Sequence, residues 1–199
     1  MTDTTPTFAS ETRNSKVSGI TLLLAAIAGF LASFVLTIDK LKILKDSNYK
    51  PSCNINAVLN CKSVMLSQEA EVFGFPNSLI GIAAFAMMLV VAVSLLMGVE
   101  FPKRFWQLLV PGPIFAVGFS HYLAYQTTFE IGALCPYCMV AWVASLLTLA
   151  VAIRELIGFA MRSTSDDSRA FALQTIARWM IPIHILWAAI LMAGAYVGI

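Results

Sequence analysis

Gly132-Ala133-Leu134-Cys135-Pro136-Tyr137-Cys138-Met139-Val140-Ala141-Trp142 is the most informative stretch of this chain, because it sets a Cys-x-x-Cys pair where a short, nearly uncharged link meets an apolar run. If a helix starts here, Pro136 occupies its first turn, where a missing N–H costs nothing, and Cys135 falls at or beside the N-cap. The two cysteines then stand three apart on one face of the first turn, close enough to form a disulfide. Unpaired N–H groups and the positive end of the helix dipole favour a thiolate at either sulfur. The pattern points to redox chemistry at a membrane edge. A structural disulfide, or half of a metal site, is the plainer reading of a lone CxxC.

The surroundings agree with a membrane edge. Of 199 residues, 59% are hydrophobic and 12% charged, with mean hydropathy +0.80, far from the balance of a soluble domain. The expected class is an all-α integral membrane protein. A net charge of +2 is too small to suggest a nucleic-acid partner. With four cysteines in the chain, cysteine chemistry is confined to Cys53, Cys61, Cys135 and Cys138.

Apolar runs long enough to cross a hydrocarbon core of about 30 Å predict helices over 17–38, 78–98, 108–129, 135–153 and 181–199. Residues 1–16 are polar and read as a disordered cytoplasmic tail; residues 17–199 read as one membrane domain. Residues 99–107 read as a tight return and 154–178 as a charged linker. Residues 39–77 form the one long polar segment between spans. Within it, Ala57, Val58, Cys61, Val64 and Met65 fall on one helical face, which predicts a short amphipathic helix with Cys61 turned inward. Cys53 lies ahead of it, with Asn54 and Asn56 as possible caps, in a segment expected to face water. A plain loop disulfide remains the bland reading of this pair. Phe73 and Phe75 stand at the level expected of interfacial aromatics.

Basic residues set the expected orientation. Arg13, Lys16, Lys103, Arg104, Arg154, Arg162, Arg169 and Arg178 fall on one side, and Lys40, Lys42, Lys45, Lys50 and Lys62, all in the long loop, on the other. Short loops weigh most in the positive-inside rule, so the first side and the N-terminus are expected in the cytoplasm. All four cysteines then lie outside, where disulfides persist. His121, within the third span, is a position where an ionisable group is usually functional, and a hydrogen bond to a neighbouring helix is an equally good reading. His184 is expected to snorkel near the cytoplasmic end of the fifth span.

The order of Cys53 and Cys61, Ser67, Phe73-Gly74, Asn77 and a membrane CxxC at Cys135 and Cys138 resembles the vitamin K epoxide reductase family, and its bacterial members most. The resemblance implies a four-helix bundle around a quinone, of menaquinone or ubiquinone type, a fifth helix, and the long loop as a lid over the site. It implies Cys135 and Cys138 as the active pair, with Cys138 beside the quinone. Cys53 would exchange with a secreted thioredoxin-like or DsbA-like protein, and Cys61 would attack the Cys135–Cys138 disulfide. Ser67, Phe73, Asn77 and Trp142 would contact the quinone; Trp142 stands where vertebrate members have a tyrosine. Since the chain ends at Ile199 with no thioredoxin-like extension, the resemblance implies a separate partner, at a bacterial inner (plasma) membrane. The competing function is a soft-metal-binding membrane protein that uses the four thiolates.

Overall fold

The computed structural model of the protein describes residues 6–163 and, beyond them, 175, 179, 182–184, 186–190 and 193–194; side chains are described over 16–159 and at these later positions. Helix α1 spans Pro6–Lys45. Residues 6–16, expected as a tail, are therefore helical. Pro6 suits a first helical turn, and beyond Ile38 the run Leu41-Lys42-Ile43-Leu44-Lys45 holds good helix formers with no glycine or proline to stop it. The helix continues because Leu36 and Ile43 have a buried cluster to pack against.

Three further spans follow. Helix α2 (Cys61–Leu66) and a 3-10 turn (Gln68–Glu71) belong to the long loop, α3 is Ser78–Leu96, α4 is Lys103–Leu109, α5 is Pro111–Phe129, and α6 is Pro136–Ser163. Among the described residues, four stretches are long and apolar enough to cross a membrane: Lys16–Lys45, Ser78–Leu96, Lys103–Phe129 and Pro136–Phe159. The expected return at 99–107 is thus helical from Lys103. Pro111 and Pro113, lacking N–H groups, divide α4 from α5 at Val110 instead of ending the span. The last helix outruns the expected 153 by continuing to Ser163. The fifth span expected over 181–199 lies largely outside the described residues; those described within it are helical.

Helix α1 is the central post, packed against α3 and α6, while α5 packs on α6. Close approach of α1 and α3 depends on Gly29, where an added Cβ would run into the Phe85 ring. Phe85 in turn belongs to a small core with Ala25 and Ala144. Thr37 Oγ1 and Ser78 Oγ join the same two helices at 2.8 Å. At the far end, Trp106 of α4 is buried among Leu22, Ala92, Leu95 and Ala152.

The loop folds over one end of this post. The amphipathic helix expected over 57–65 is confined to Cys61–Leu66, because asparagines take the backbone N–H groups that a longer helix would need. Asn56 Oδ1 accepts from the N–H groups of Val58 (3.0 Å) and Leu59 (2.7 Å), closing a turn. Asn60, not Asn54 or Asn56, caps the helix by accepting from Ser63 N–H at 3.2 Å. The expected inward face survives: Cys61, Val64 and Met65 are buried, whereas Ala57 is exposed.

Candidate functional site

The CxxC is delivered by two backbone devices. Gly132 adopts φ +67°, which lets the chain reverse after α5, and the N–H of Ala133 returns to Thr127 O at 3.0 Å. The next residue pairs with the loop: Leu134 N–H donates to Val58 O (2.7 Å), and Asn60 N–H donates to Leu134 O (3.0 Å). This short parallel bridge sets the start of α2 beside the start of α6. Pro136 opens α6 and Cys135 immediately precedes it, as the residue pattern requires.

Cys53 and Cys61 form a disulfide, with Cα atoms 5.7 Å apart, while Cys135 and Cys138 are free thiols. Cys135 Sγ lies 3.1 Å from Cys61 Sγ. The loop pair is oxidised, the helix pair reduced, and their inner members touch. Cys61 is fully buried, Cys135 is 2% exposed and Cys53 5%. Cys53 was expected in water, so its burial is a correction. Its cause is the fold of the loop: Asn54 Oδ1 accepts Lys62 N–H at 3.0 Å, Ile55 N–H reaches Leu59 O at 2.9 Å, and Leu36, Ile43 and Ala133 close around the sulfurs.

Electrostatics ease the ionisation of Cys135. Its thiol is held below its ordinary value, first by the hydrogen bond from Cys138, with help from the N–H groups of Cys138 and Tyr137, against burial and the nearby charge of Asp39. The helix N-terminus adds a fixed positive potential of the same sense.

Behind the cysteines lies a cavity of about 710 Å³ between α1, α3, α5, α6 and the loop, with almost wholly apolar walls. Cys135, Cys138, Trp142, Ser67 and Asn77 line it. Phe73 does not. It is half exposed and packs on Phe115 and Phe119, which are wall residues, so its contribution is one layer back. Ser67 spends its hydroxyl proton on Val64 O at 3.0 Å. Asn77 Nδ2 donates to Glu69 O at 2.6 Å, leaving Oδ1 buried with no partner among the described residues. Trp142 Nε1 is likewise buried with no partner among the described residues.

Three wall or flank residues escaped the sequence reading. Lys40 is buried, donates to Met65 O (2.7 Å) and pairs with Glu71 (2.9 Å), tying α1 to the loop. Thr128 Oγ1 is buried on the cavity wall with no partner among the described residues. Asp39 is buried next to Lys40 in sequence. Their shared signal was a polar side chain inside or at the end of an apolar run, which by itself names no partner. His121 turns back on its own helix, Nδ1 to Val117 O at 2.7 Å, and its ring stands edge-on to Trp142. The expected snorkelling of His184 is corrected: its ring packs edge-on against His121 at 4.9 Å.

Two cysteine pairs in contact, one of them lining an apolar cavity inside a membrane bundle, fit a membrane disulfide oxidoreductase. More narrowly, residues 20–153 match the model of the vitamin K epoxide reductase family, and the chain belongs to it. A search of curated proteins finds no match. Members of the family use quinones in general, and the cavity suits one by its own chemistry. An apolar hollow of several hundred Å³ accepts a ring, the buried Trp142 N–H is a donor in want of a carbonyl oxygen, and Asn77 Oδ1 is an acceptor in want of a hydroxyl.

Proposed function

We propose that the protein takes electrons from a secreted thioredoxin-like or DsbA-like dithiol protein and delivers them to a membrane quinone, supporting disulfide formation outside the cytoplasm. The observation that carries this reading is the 3.1 Å approach of Cys61 Sγ to Cys135 Sγ. Exchange requires an attacking thiolate against a disulfide sulfur. A partner thiolate attacks Cys53, the Cys53–Cys61 bond breaks, and Cys61 leaves as a thiolate. Cys61 then attacks Cys135 of an oxidised Cys135–Cys138 pair, and Cys138 leaves toward the cavity. The partner's second thiolate closes its own disulfide and releases Cys53, which attacks Cys61, re-forms Cys53–Cys61 and frees Cys135, so that the two electrons rest on Cys135 and Cys138. When bound, the quinone supplies a two-electron acceptor; Cys138, Trp142 and Asn77 line the place that holds it. Orientation follows the basic residues: N-terminus in the cytoplasm, cysteines on the outer face of a bacterial plasma membrane.

A second reading rests on the sulfurs of Cys53, Cys61 and Cys135, which all lie within 4.8 Å of one another and could together hold a soft metal ion. Two of them are spent in a disulfide and offer no thiolate. One experiment separates the readings. Purified protein given dithiothreitol and a soluble quinone analogue should reduce the quinone, Cys138→Ser should abolish turnover, and mass analysis of the native extract should find a quinone. Stoichiometric zinc or copper in reduced protein, with no quinone reduction, would establish the metal reading instead.

A further inference from the structure

The segment that leads to Cys53 is strongly basic. Residues 39–62 hold five lysines against two aspartates, a net +3, where the whole chain carries +2. Lysines in a loop favour its retention in the cytoplasm, so on an outward segment they serve something other than topology. Their placement is local to the sulfurs. Lys42 of α1 sets its ammonium over the Tyr49 ring, 5.2 Å from the centroid. Lys62, next to Cys61, donates to the carbonyls of Ser47 and, at 3.2 Å, Tyr49. Tyr49 itself packs on the cluster that holds Cys53, Cys61 and Cys135. Lys45, one turn beyond Lys42, and Lys50, three residues before Cys53, are exposed. Among the described residues none of these four lysines is paired with a carboxylate. The two aspartates are turned elsewhere: Asp39 is buried and accepts from Tyr49 O–H, and Asp46 Oδ1 accepts from Asn48 N–H at 2.9 Å.

We propose that this lysine face is the docking surface for the electron donor, that the donor carries carboxylates around its dithiol, and that one of them draws Lys62 off Ser47 O and Tyr49 O. The inference rests on the relay proposed above, in which a protein must reach Cys53, and it names the chemistry of that protein. A carboxylate binds an ammonium more strongly than a neutral carbonyl does. Once Lys62 lets go, the turn at 46–49, and Tyr49 with it, is free to lift from the cluster around the buried Cys53. The donor thiolate then bonds Cys53 Sγ, and the Cys53–Cys61 bond breaks with its electron pair going to Cys61. The donor's second thiolate attacks the first, closing the donor disulfide and releasing Cys53, so that the donor loses two electrons and the loop pair gains them. Anionic lipid headgroups attract lysines by the same charge. Lysines serving a headgroup layer need only reach it, whereas Lys42 and Lys62 come from two helices to meet at Tyr49.

The test uses full-length protein with Cys135→Ser and Cys138→Ser, in which the loop disulfide has nowhere to pass electrons, and three synthetic Cys-x-x-Cys peptides that differ only in glutamate, glutamine or lysine flanks. Reduction of Cys53–Cys61 in neutral detergent is followed by alkylation and mass analysis. Each rate is divided by the same peptide's rate against hydroxyethyl disulfide, which cancels the effect of the flanks on the peptide's own thiols. At low salt the glutamate peptide should be at least about tenfold faster than the lysine peptide, the lower end of electrostatic steering. The gap should close towards about 1 M salt, where the screening length falls to roughly 3 Å. Changing Lys42, Lys45, Lys50 and Lys62 together to Gln should erase the ranking; where that variant does not fold, the salt dependence of the parent decides. Lys62→Gln alone should speed reduction by the uncharged dithiothreitol, and an unchanged rate overturns Lys62 as the strap. Equal or reversed peptide rates overturn the acidic donor. Equal rates together with a thermal stabilisation by phosphatidylglycerol that the four changes abolish would assign the lysines to lipid instead. If dithiothreitol reduces the loop disulfide and no peptide does, the relay through Cys53 fails and the docking surface with it.

Discussion

The division of labour within the CxxC is set by where each sulfur points. Cys135 touches Cys61, while both Cys135 and Cys138 border the cavity. Cys138→Ser should therefore accumulate a Cys61–Cys135 disulfide, visible on a non-reducing peptide map, because the sulfur that would resolve it is gone. Cys135→Ser should accumulate no bond between Cys61 and position 138; finding one, with quinone reduction intact, would reverse the assignment. The titration of Cys135 is a second residue-scale prediction. Its folded value is depressed, so the thiolate should persist below the ordinary thiol range and be lost only as pH falls through that lower value. The largest cause is the hydrogen bond from Cys138; in a Cys53→Ala, Cys61→Ala background, where Cys135 has no disulfide to attack and stays a free thiol, Cys138→Ala should move the titration upward. An unmoved thiolate absorbance profile would exclude that cause.

At the scale of elements, the site depends on how the long loop is fastened to α1 and to the start of α6. One fastening is the Lys40–Glu71 pair, with side chains 7% and 39% exposed. Removing one partner of a buried pair is costly because the other is left without compensation. Glu71→Ala strands the buried ammonium, though Met65 O still accepts from it. We expect about 1–3 kcal/mol lost, less than a fully buried pair because Glu71 is partly in water. Lys40→Met, which leaves the more exposed carboxylate, should cost less. Thermal unfolding in detergent gives the comparison, and the reverse ranking would mean that the pair does not hold the loop. A loosened loop should also expose Cys53, which its present burial shields from any partner thiol.

For the whole molecule, the arrangement makes a topological statement: the long loop and the 130–135 link lie at one end of the bundle, and the 97–102 turn at the other. In a cysteine-free background, Asn48→Cys should react with an impermeant maleimide on intact cells, and Glu100→Cys only after the membrane is opened; both positions are exposed. Labelling at 100 but not at 48 would invert the proposed orientation and remove the chemistry from the compartment that keeps disulfides. Burial of Cys53 also has a consequence at this scale. Under the proposed relay a partner thiol must reach Cys53, which is buried, so docking must part the loop from the bundle. Cys53→Ala should then abolish turnover driven by a protein dithiol while sparing turnover driven by dithiothreitol; equal loss with both reductants would remove Cys53 as the relay.

Periodicity and composition were enough to establish a helical membrane protein and the start of α6, because twenty apolar residues in a row and a proline after a possible cap are local facts that no distant contact can reverse. The inward face of α2 was legible for the same reason, since Cys61, Val64 and Met65 share a helical stripe whatever they pack against. Helix ends were less so: α1 and α6 run on past their apolar cores because partners elsewhere in the chain bury Ile43 and Ile157. Only tertiary structure decided that Cys53 is buried, that Phe73 stands behind the cavity wall, and that Asp39 is buried against Tyr49. Each depends on a loop folding back across more than seventy residues to bond at Leu134. Such long-range closure is a sum of weak contacts against chain entropy, and no window of sequence contains both of its ends.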